Sequence, residues 1–357
     1  MSNTRCLGIL LLGTAACGSG AAEATIGTDG GTMTGSASES GAGAETPGAE
    51  GSSSGAASGS GDSGAGSGDS GETSGSASCP AQSRRDVEFS SLSGVDPNLT
   101  SLDVFPVPAG SPAPVVVFVH GGGWKIGDKT SHESNPEFLQ FFHDEGFALA
   151  SVNYRLIGDP GSPNADWSAQ PTDVAAGVAW LVDHADELCI DAGRIALMGH
   201  SAGAHIVALL ASDATYLDEH GIGFAQLSGV VPLDVNAYDI PFAIDNGAAL
   251  GAPGAAVNLP SVFGDDPDEQ WAASPISHVS ASAGHPPFFI VWAPIFGGAE
   301  QMLSQAASDR FAAELEQAGA AVTVLGSLDD DHTSLASELG RPGDEPTEDI
   351  RMFLQSL

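Results

Sequence analysis

Positive charge is scarce in this chain. Only 10 Lys and Arg stand against 46 Asp and Glu, leaving a formal net charge of −36 at pH 7 over 357 residues. Phosphate backbones are bound by clustered Lys and Arg, so nucleic acid is excluded as a partner. Docking on an anionic lipid surface is excluded for the same reason. Long apolar runs are also missing. The single candidate, Cys6 to Ala16, is too short to span a bilayer as a stable anchor. Residues 18–78 contain no Lys, Arg or aromatic residue and repeat G-S-G-D-S-G at 59–64 and 66–71. Such a Gly/Ser/Ala-rich acidic stretch cannot bury enough apolar surface to offset its ordering entropy, and it reads as a disordered linker. With eight acidic residues in the linker, the rest of the chain is itself strongly acidic, which favours solubility.

The N-terminus has one basic residue, Arg5, then a short apolar core and small residues before a cysteine, the pattern of an export signal. Ala15-Ala-Cys17-Gly18 resembles a bacterial lipobox, with Thr14 where Leu is usual. The expectation is a signal over 1–17 and a lipid on Cys17, so that the protein is exported to the cell envelope and meets the membrane through that lipid alone, with ordinary signal cleavage near the same place and secretion as the alternative. Of the four cysteines, Cys6 leaves with the signal. Cys79 and Cys189 remain, in a compartment that permits a disulfide between them.

Residues 79–357 are long enough for one large domain with a single core. Strand and helix patterns alternate through it. Val87–Phe89 and Ser101–Phe105 read as opening strands. Val115–Val119 is a continuous apolar run suited to a strand buried on both faces. Helices are expected over 135–145, 171–184, 202–211, 305–318 and 344–357, and strands at 147–152, 194–198, 228–231, 287–292 and 322–325. Between 235 and 280 the pattern breaks into Gly, Pro and short apolar pieces, read as a lid-like insert. The alternation implies a mainly parallel α/β sheet with helices on both faces, whose site lies at the carboxyl ends of the strands.

Gly199-His-Ser-Ala-Gly203 follows one such strand and opens a helix. It fits G-x-S-x-G, a strand-to-helix turn that presents one serine as nucleophile. Ser201 then needs a base and an orienting acid. His332 lies after the last strand and after the serine in chain order, which makes it the expected base among ten histidines. His200 sits at the turn itself and His205 one helical turn on, and neither is assigned that role. Gly122 and Gly123, in His120-Gly-Gly-Gly-Trp124, can bring amides close to a developing oxyanion, and Ala202 supplies a third at a helix N-terminus. The acids at Asp329-Asp-Asp331 lack metal-ligand spacing, and no metal is expected.

Together, H-G-G-G-W, Ser151-Val-Asn-Tyr-Arg-Leu156, G-H-S-A-G and the late Asp331-His332 resemble the α/β-hydrolase superfamily over residues 85–357. The branch is that of carboxylesterases similar to hormone-sensitive lipase and kynurenine formamidase. Phe263-Gly-Asp-Asp-Pro267 and Ala273-Ser-Pro-Ile276 fit the same resemblance. It implies an eight-stranded sheet, cofactor-free hydrolysis of small-molecule esters and a Ser–acid–His triad. It also implies an Asp soon after strand 287–292, where this chain has Phe296. Glu300, about thirty residues before His332, is the expected replacement through a lengthened loop, with Asp234 after the preceding strand as the alternative. A formamidase or other small-amide hydrolase, and an inactive surface binding protein, are the competing readings.

Overall fold

The structure, a computed structural model, describes residues 82–107, 111–294 and 301–357. The signal, Cys17, the linker, Cys79 and Glu300 lie outside the described residues. Eight strands form one sheet: β1 Arg84–Glu88, β2 Ser101–Phe105, β3 Ala113–Val119, β4 Ala148–Val152, β5 Ile190–His200, β6 Leu227–Leu233, β7 Phe288–Trp292 and β8 Val322–Gly326. Their order is β1-β2-β4-β3-β5-β6-β7-β8. β2 pairs antiparallel with both β1 and β4, and every pairing from β4 to β8 is parallel.

β3, and β5 over Ile195–Met198, are apolar at every position because each face meets its own core. Val115, Val117 and Val119 of β3 join one cluster, while Val116 and Phe118 join the other. Ile195 and Leu197 against Ala196 and Met198 repeat this split in β5. The first core is covered by α2 (Ala169–Asp183), α3 (Ala202–Ser212) and α6 (Gln301–Gln317). The second is covered by α1 (Phe138–Asp144) and α7 (Glu345–Ser356). All eleven residues of α3 are buried, which explains why its sequence shows no polar face. In α1, Phe138 packs edge-on against Phe118 and Phe142 at 4.8 and 5.1 Å, and burying one such ring contributes about 1.5–3 kcal/mol.

Two helix starts differ from expectation by three residues or more. The helix expected from 135 starts at Phe138, because a 3₁₀ turn over Lys129–Ser134 precedes it. That turn is capped by Asp128, whose side chain accepts from the Thr130 amide at 2.9 Å. The helix expected from 305 starts four residues earlier, at Gln301. The insert after β6 folds as α4 (Ile240–Asn246), α5 (Pro267–Ala272) and three single turns. Asp239 caps α4 and pairs with Arg310 of α6 at 2.6 Å, tying the insert to the sheet's helical layer. Cys189 is disulfide-bonded, and its partner lies outside the described residues.

The fold places the carboxyl ends of β3, β5 and β6 side by side. Val119 pairs with Gly199, and His200 with Leu233. The strand order turns at β3–β5, the position where α/β sheets open a crevice.

Candidate active site

Ser201 stands between the last residue of β5 and the first of α3, at φ 56° and ψ −119°. A non-glycine residue in this region carries about 1–3 kcal/mol of strain and persists only where its surroundings hold it. Here its N–H donates to Leu233 O at 2.9 Å, and its carbonyl accepts from His205 N at 3.2 Å. The two glycines of the motif are demanded by close approach. A Cβ on Gly199 would lie 2.3 Å from Gly203 O, and one on Gly203 would lie 2.1 Å from Val119 O.

His332 reaches this serine from the loop after β8. Its Nε2 lies 3.0 Å from Ser201 Oγ, and its Nδ1 lies 2.7 Å from Asp234 Oδ2. A carboxylate only accepts, so Nδ1 carries the proton and Nε2 is left to accept from the serine hydroxyl. Asp234 is wholly buried. Its other oxygen accepts from Ala293 N at 3.2 Å, and its own N–H donates to Val291 O at 2.7 Å. The acid on His332 is therefore Asp234, the alternative of the sequence reading. Glu300, the first choice, lies outside the described residues. The reason is topological. Leu233 pairs with His200, so the residue after Leu233 falls beside the residue after His200, which is Ser201.

His200 does not compete as a base. Its Nε2–H donates to the His332 carbonyl at 2.6 Å, and the two rings lie 4.6 Å apart. Burial, reinforced by the neighbouring His332, pushes its pKa down to about 3.

The glycine loop leaves β3 directly toward Ser201. Gly122 and Gly123 have φ 123° and 59°. A Cβ on Gly122 would sit 1.9 Å from Ile126 O. The Gly122 carbonyl is consumed by the Lys125 and Ile126 amides at 3.2 and 3.1 Å, closing the turn. Among the described residues the Gly122 and Gly123 amides have no acceptor. Ala202, the first residue of α3, contributes an amide that helix geometry also leaves without a partner. Behind the loop, Tyr154 Oη–H donates to His120 O at 2.9 Å, and its ring stacks on His120 at 4.4 Å.

Ser201 and His332 open onto two clefts. One, of about 490 Å³, is walled by Trp124 and by Val235, Leu259 and Val262 of the insert. The other, of about 450 Å³, runs past Ser131, Asn135 and Thr333. Both are of the size that holds small organic ligands. The carboxylates of Asp330, Glu338 and Asp344, within 4.8 Å of one another, line a separate cleft. Ser327, Arg341 and Thr347 already bond them.

Three imidazoles in this region, His120 and His205 buried and His200 half-buried, are held neutral. Burial pushes His120 and His205 to about 4 and His200 to about 3. These pKa values are depressed on folding, so the unfolded chain binds the extra protons. The contribution is fully present above the unfolded value near 6.5 and is lost as pH falls toward the folded values. For His120 and His205 the drop from 6.5 to about 4 corresponds to roughly 3 kcal/mol each. We expect histidine NMR shifts to report three rings neutral down to about pH 5, and the urea midpoint to fall as pH drops from about 6.5 toward 4.5. Protonation of any of the three above about pH 6 would contradict this.

The chain is similar to several known proteins. The BD-FAE family model matches residues 102–315, more than half of the chain. "Esterase LipQ" of Mycobacterium tuberculosis is 30% identical over 228 residues, covering 62% of this chain and 50% of the relative. "Esterase LipI" of the same organism is 35% identical over 171 residues, covering 41% and 51%. The chain thus spans about half the length of these curated relatives. Among solved structures, esterase B from Lactobacillus rhamnosis superposes with a TM-score of 0.60 at 19% identity, covering 77% of this chain and 88% of that one. A truncated carbohydrate esterase from gut microbiota gives 0.60 at 19%, covering 77% and 96%. At such identity these two speak for the fold. The chain belongs to the BD-FAE family, an α/β-hydrolase of the carboxylesterase branch.

Proposed function

We propose that the protein hydrolyses carboxylic esters of small molecules through an acyl-enzyme on Ser201. The observation that carries this is the chain Asp234–His332–Ser201, at 2.7 and 3.0 Å, opening on a cleft beside the glycine loop. Ser201 Oγ attacks the ester carbonyl while His332 Nε2 takes its proton. Asp234 holds the imidazole in the accepting tautomer and stabilises the imidazolium that forms. The Gly122, Gly123 and Ala202 amides receive the oxyanion, each such donor supporting the rate by about 10²–10³. His332 then returns the proton to the leaving alkoxide. Water repeats the sequence on the acyl-enzyme and frees Ser201. No cofactor enters these steps.

The same residues could open a formamide. The esterase names of the relatives favour esters, and a complete hydrogen-bonded triad removes the motive for an inactive binding protein. The test is turnover of p-nitrophenyl acetate beside N-formylkynurenine, with a fluorophosphonate adduct mapped by mass spectrometry. We expect ester turnover and an adduct on the Ser201 peptide. An enzyme silent on esters and unlabelled would sink the proposal, and formamide turnover far above ester turnover would redirect it. The N-terminal pattern further supports export with a lipid on Cys17, checked by the mass of the mature N-terminal peptide. The insert over 235–280 supports a substrate-shaping role, since its residues wall one cleft.

A further inference from the structure

His205 lies one turn beyond Ser201 on α3 and touches no part of the expected reaction path. Yet it is almost wholly buried, and both ring nitrogens are engaged. Trp124 Nε1–H donates to His205 Nδ1 at 3.3 Å, and His205 Nε2–H donates to Ala273 O at 2.8 Å. One neutral tautomer satisfies both bonds, with Nδ1 accepting and Nε2 donating. The three groups joined belong to three different elements. Trp124 ends the glycine loop, His205 is on the nucleophile helix, and Ala273 is in the insert. Phe263, also of the insert, closes the cluster at 5.0 Å from Trp124 and 5.1 Å from His205.

Trp124 is a bulky residue at φ 63°, next to the two glycines that line the same cleft as Ser201. Left-handed backbone at such a residue needs external support. The Trp124 carbonyl is held by Gln170 Nε2 at 2.8 Å and the Ile157 amide at 3.0 Å. The indole is held by His205 alone among the described hydrogen-bond partners. His205 is itself referenced to the nucleophile, because its N–H donates to Ser201 O. Burial keeps the ring neutral, with a pKa pushed to about 4.

We propose that His205 is a positioning residue, fixing the Gly122–Gly123 amides relative to Ser201 through Trp124 and locking the insert to the same reference through Ala273. The inference rests on the esterase reading above. An oxyanion donor acts on charge that exists only in the transition state, so a displaced loop lowers kcat while KM stays nearly constant. A shift of about 1 Å in such a constellation lowers the rate by up to about 100-fold.

The experiment measures kcat and KM for p-nitrophenyl acetate in the full chain and in His205→Ala, His205→Asn, Trp124→Phe and His205→Ala/Trp124→Phe. We expect His205→Ala to lose about 10–100-fold in kcat with KM within about threefold. His205→Asn, whose Oδ1 can accept and whose Nδ2–H can donate, should recover most of that loss. Trp124→Phe keeps the ring and removes the donor, and should match His205→Ala. The double variant should fall no further than either single change. A folded His205→Ala with wild-type kcat, a loss confined to KM, or no rescue by folded His205→Asn would overturn the proposal. If His205→Ala does not fold, Trp124→Phe decides it: unchanged kcat overturns it, and a kcat loss at constant KM supports it. Wild-type enzyme silent on esters would instead defeat the esterase reading, which keeps the two failures apart.

Discussion

Ser201→Ala should lower kcat on p-nitrophenyl acetate by about 10⁶-fold, with His332→Ala close behind and the double variant no worse than the worse single change. The size follows from how the triad works. The hydroxyl is a weak nucleophile without the base 3.0 Å away, and the base has no proton to take without the hydroxyl. Removing either leaves only the oxyanion amides and binding, worth a residual about 10³–10⁴ over water. The change should leave the fold intact. Alanine and serine face a similar penalty at φ 56°, and the Ser201 backbone bonds to Leu233 and His205 do not involve the side chain. A thermal midpoint within a few degrees of wild type, with activity gone, is the expected pair of results. Retention of more than about 1% of wild-type kcat would show that another nucleophile carries the reaction.

Much of this site is legible in the amino-acid sequence, because its parts are local. Gly199 and Gly203 stand where a Cβ would lie 2.3 and 2.1 Å from backbone oxygens, well inside any Cβ contact, and no other residue fits there. Gly122 is constrained in the same way by Ile126. β3 and α3 are legible because burial on all sides leaves a run that is apolar throughout β3 and interrupted only by His205 before Ser212 ends α3. The features that local pattern does not carry depend on pairings between distant segments. The acid only has to be a carboxylate at the end of a neighbouring strand, and both the β6 and β7 exits offer one in sequence. Sheet order separates them, since β6 lies directly beside β5. The late start of the helix expected over 135–145 turns on Asp128, which caps a turn that periodicity does not reveal. The Trp124–His205–Ala273 link joins residues 81 and 68 positions apart and leaves no local pattern.

The acid also yields the second large effect. Asp234→Asn keeps the size and most of the bonds of a fully buried group, yet should lower kcat by about 10⁴-fold. The asparagine amide can donate to His332 Nδ1, which the carboxylate could not. That stabilises the tautomer with the proton on Nε2, the nitrogen that must accept from Ser201. The imidazolium formed in the transition state also loses its only bonded carboxylate among the described residues. Both losses fall on kcat, so KM should stay within a few-fold of wild type. Stability should move little or rise, because a buried charge is replaced by a neutral group that can still bond the Ala293 amide. Glu300→Gln is the matched control, and should leave kcat within about twofold if Asp234 is the working acid. The reverse pattern, with Glu300→Gln collapsing and Asp234→Asn active, would return the role to Glu300. Loss in both would mean that the two carboxylates share the imidazole during turnover. Steady-state kinetics on the two purified variants, with an unfolding curve for each, separates these outcomes. Because the tautomer and not the packing is at stake, Asp234→Asn should still show slow phosphonate labelling of Ser201, through a hydroxyl that is present but not activated.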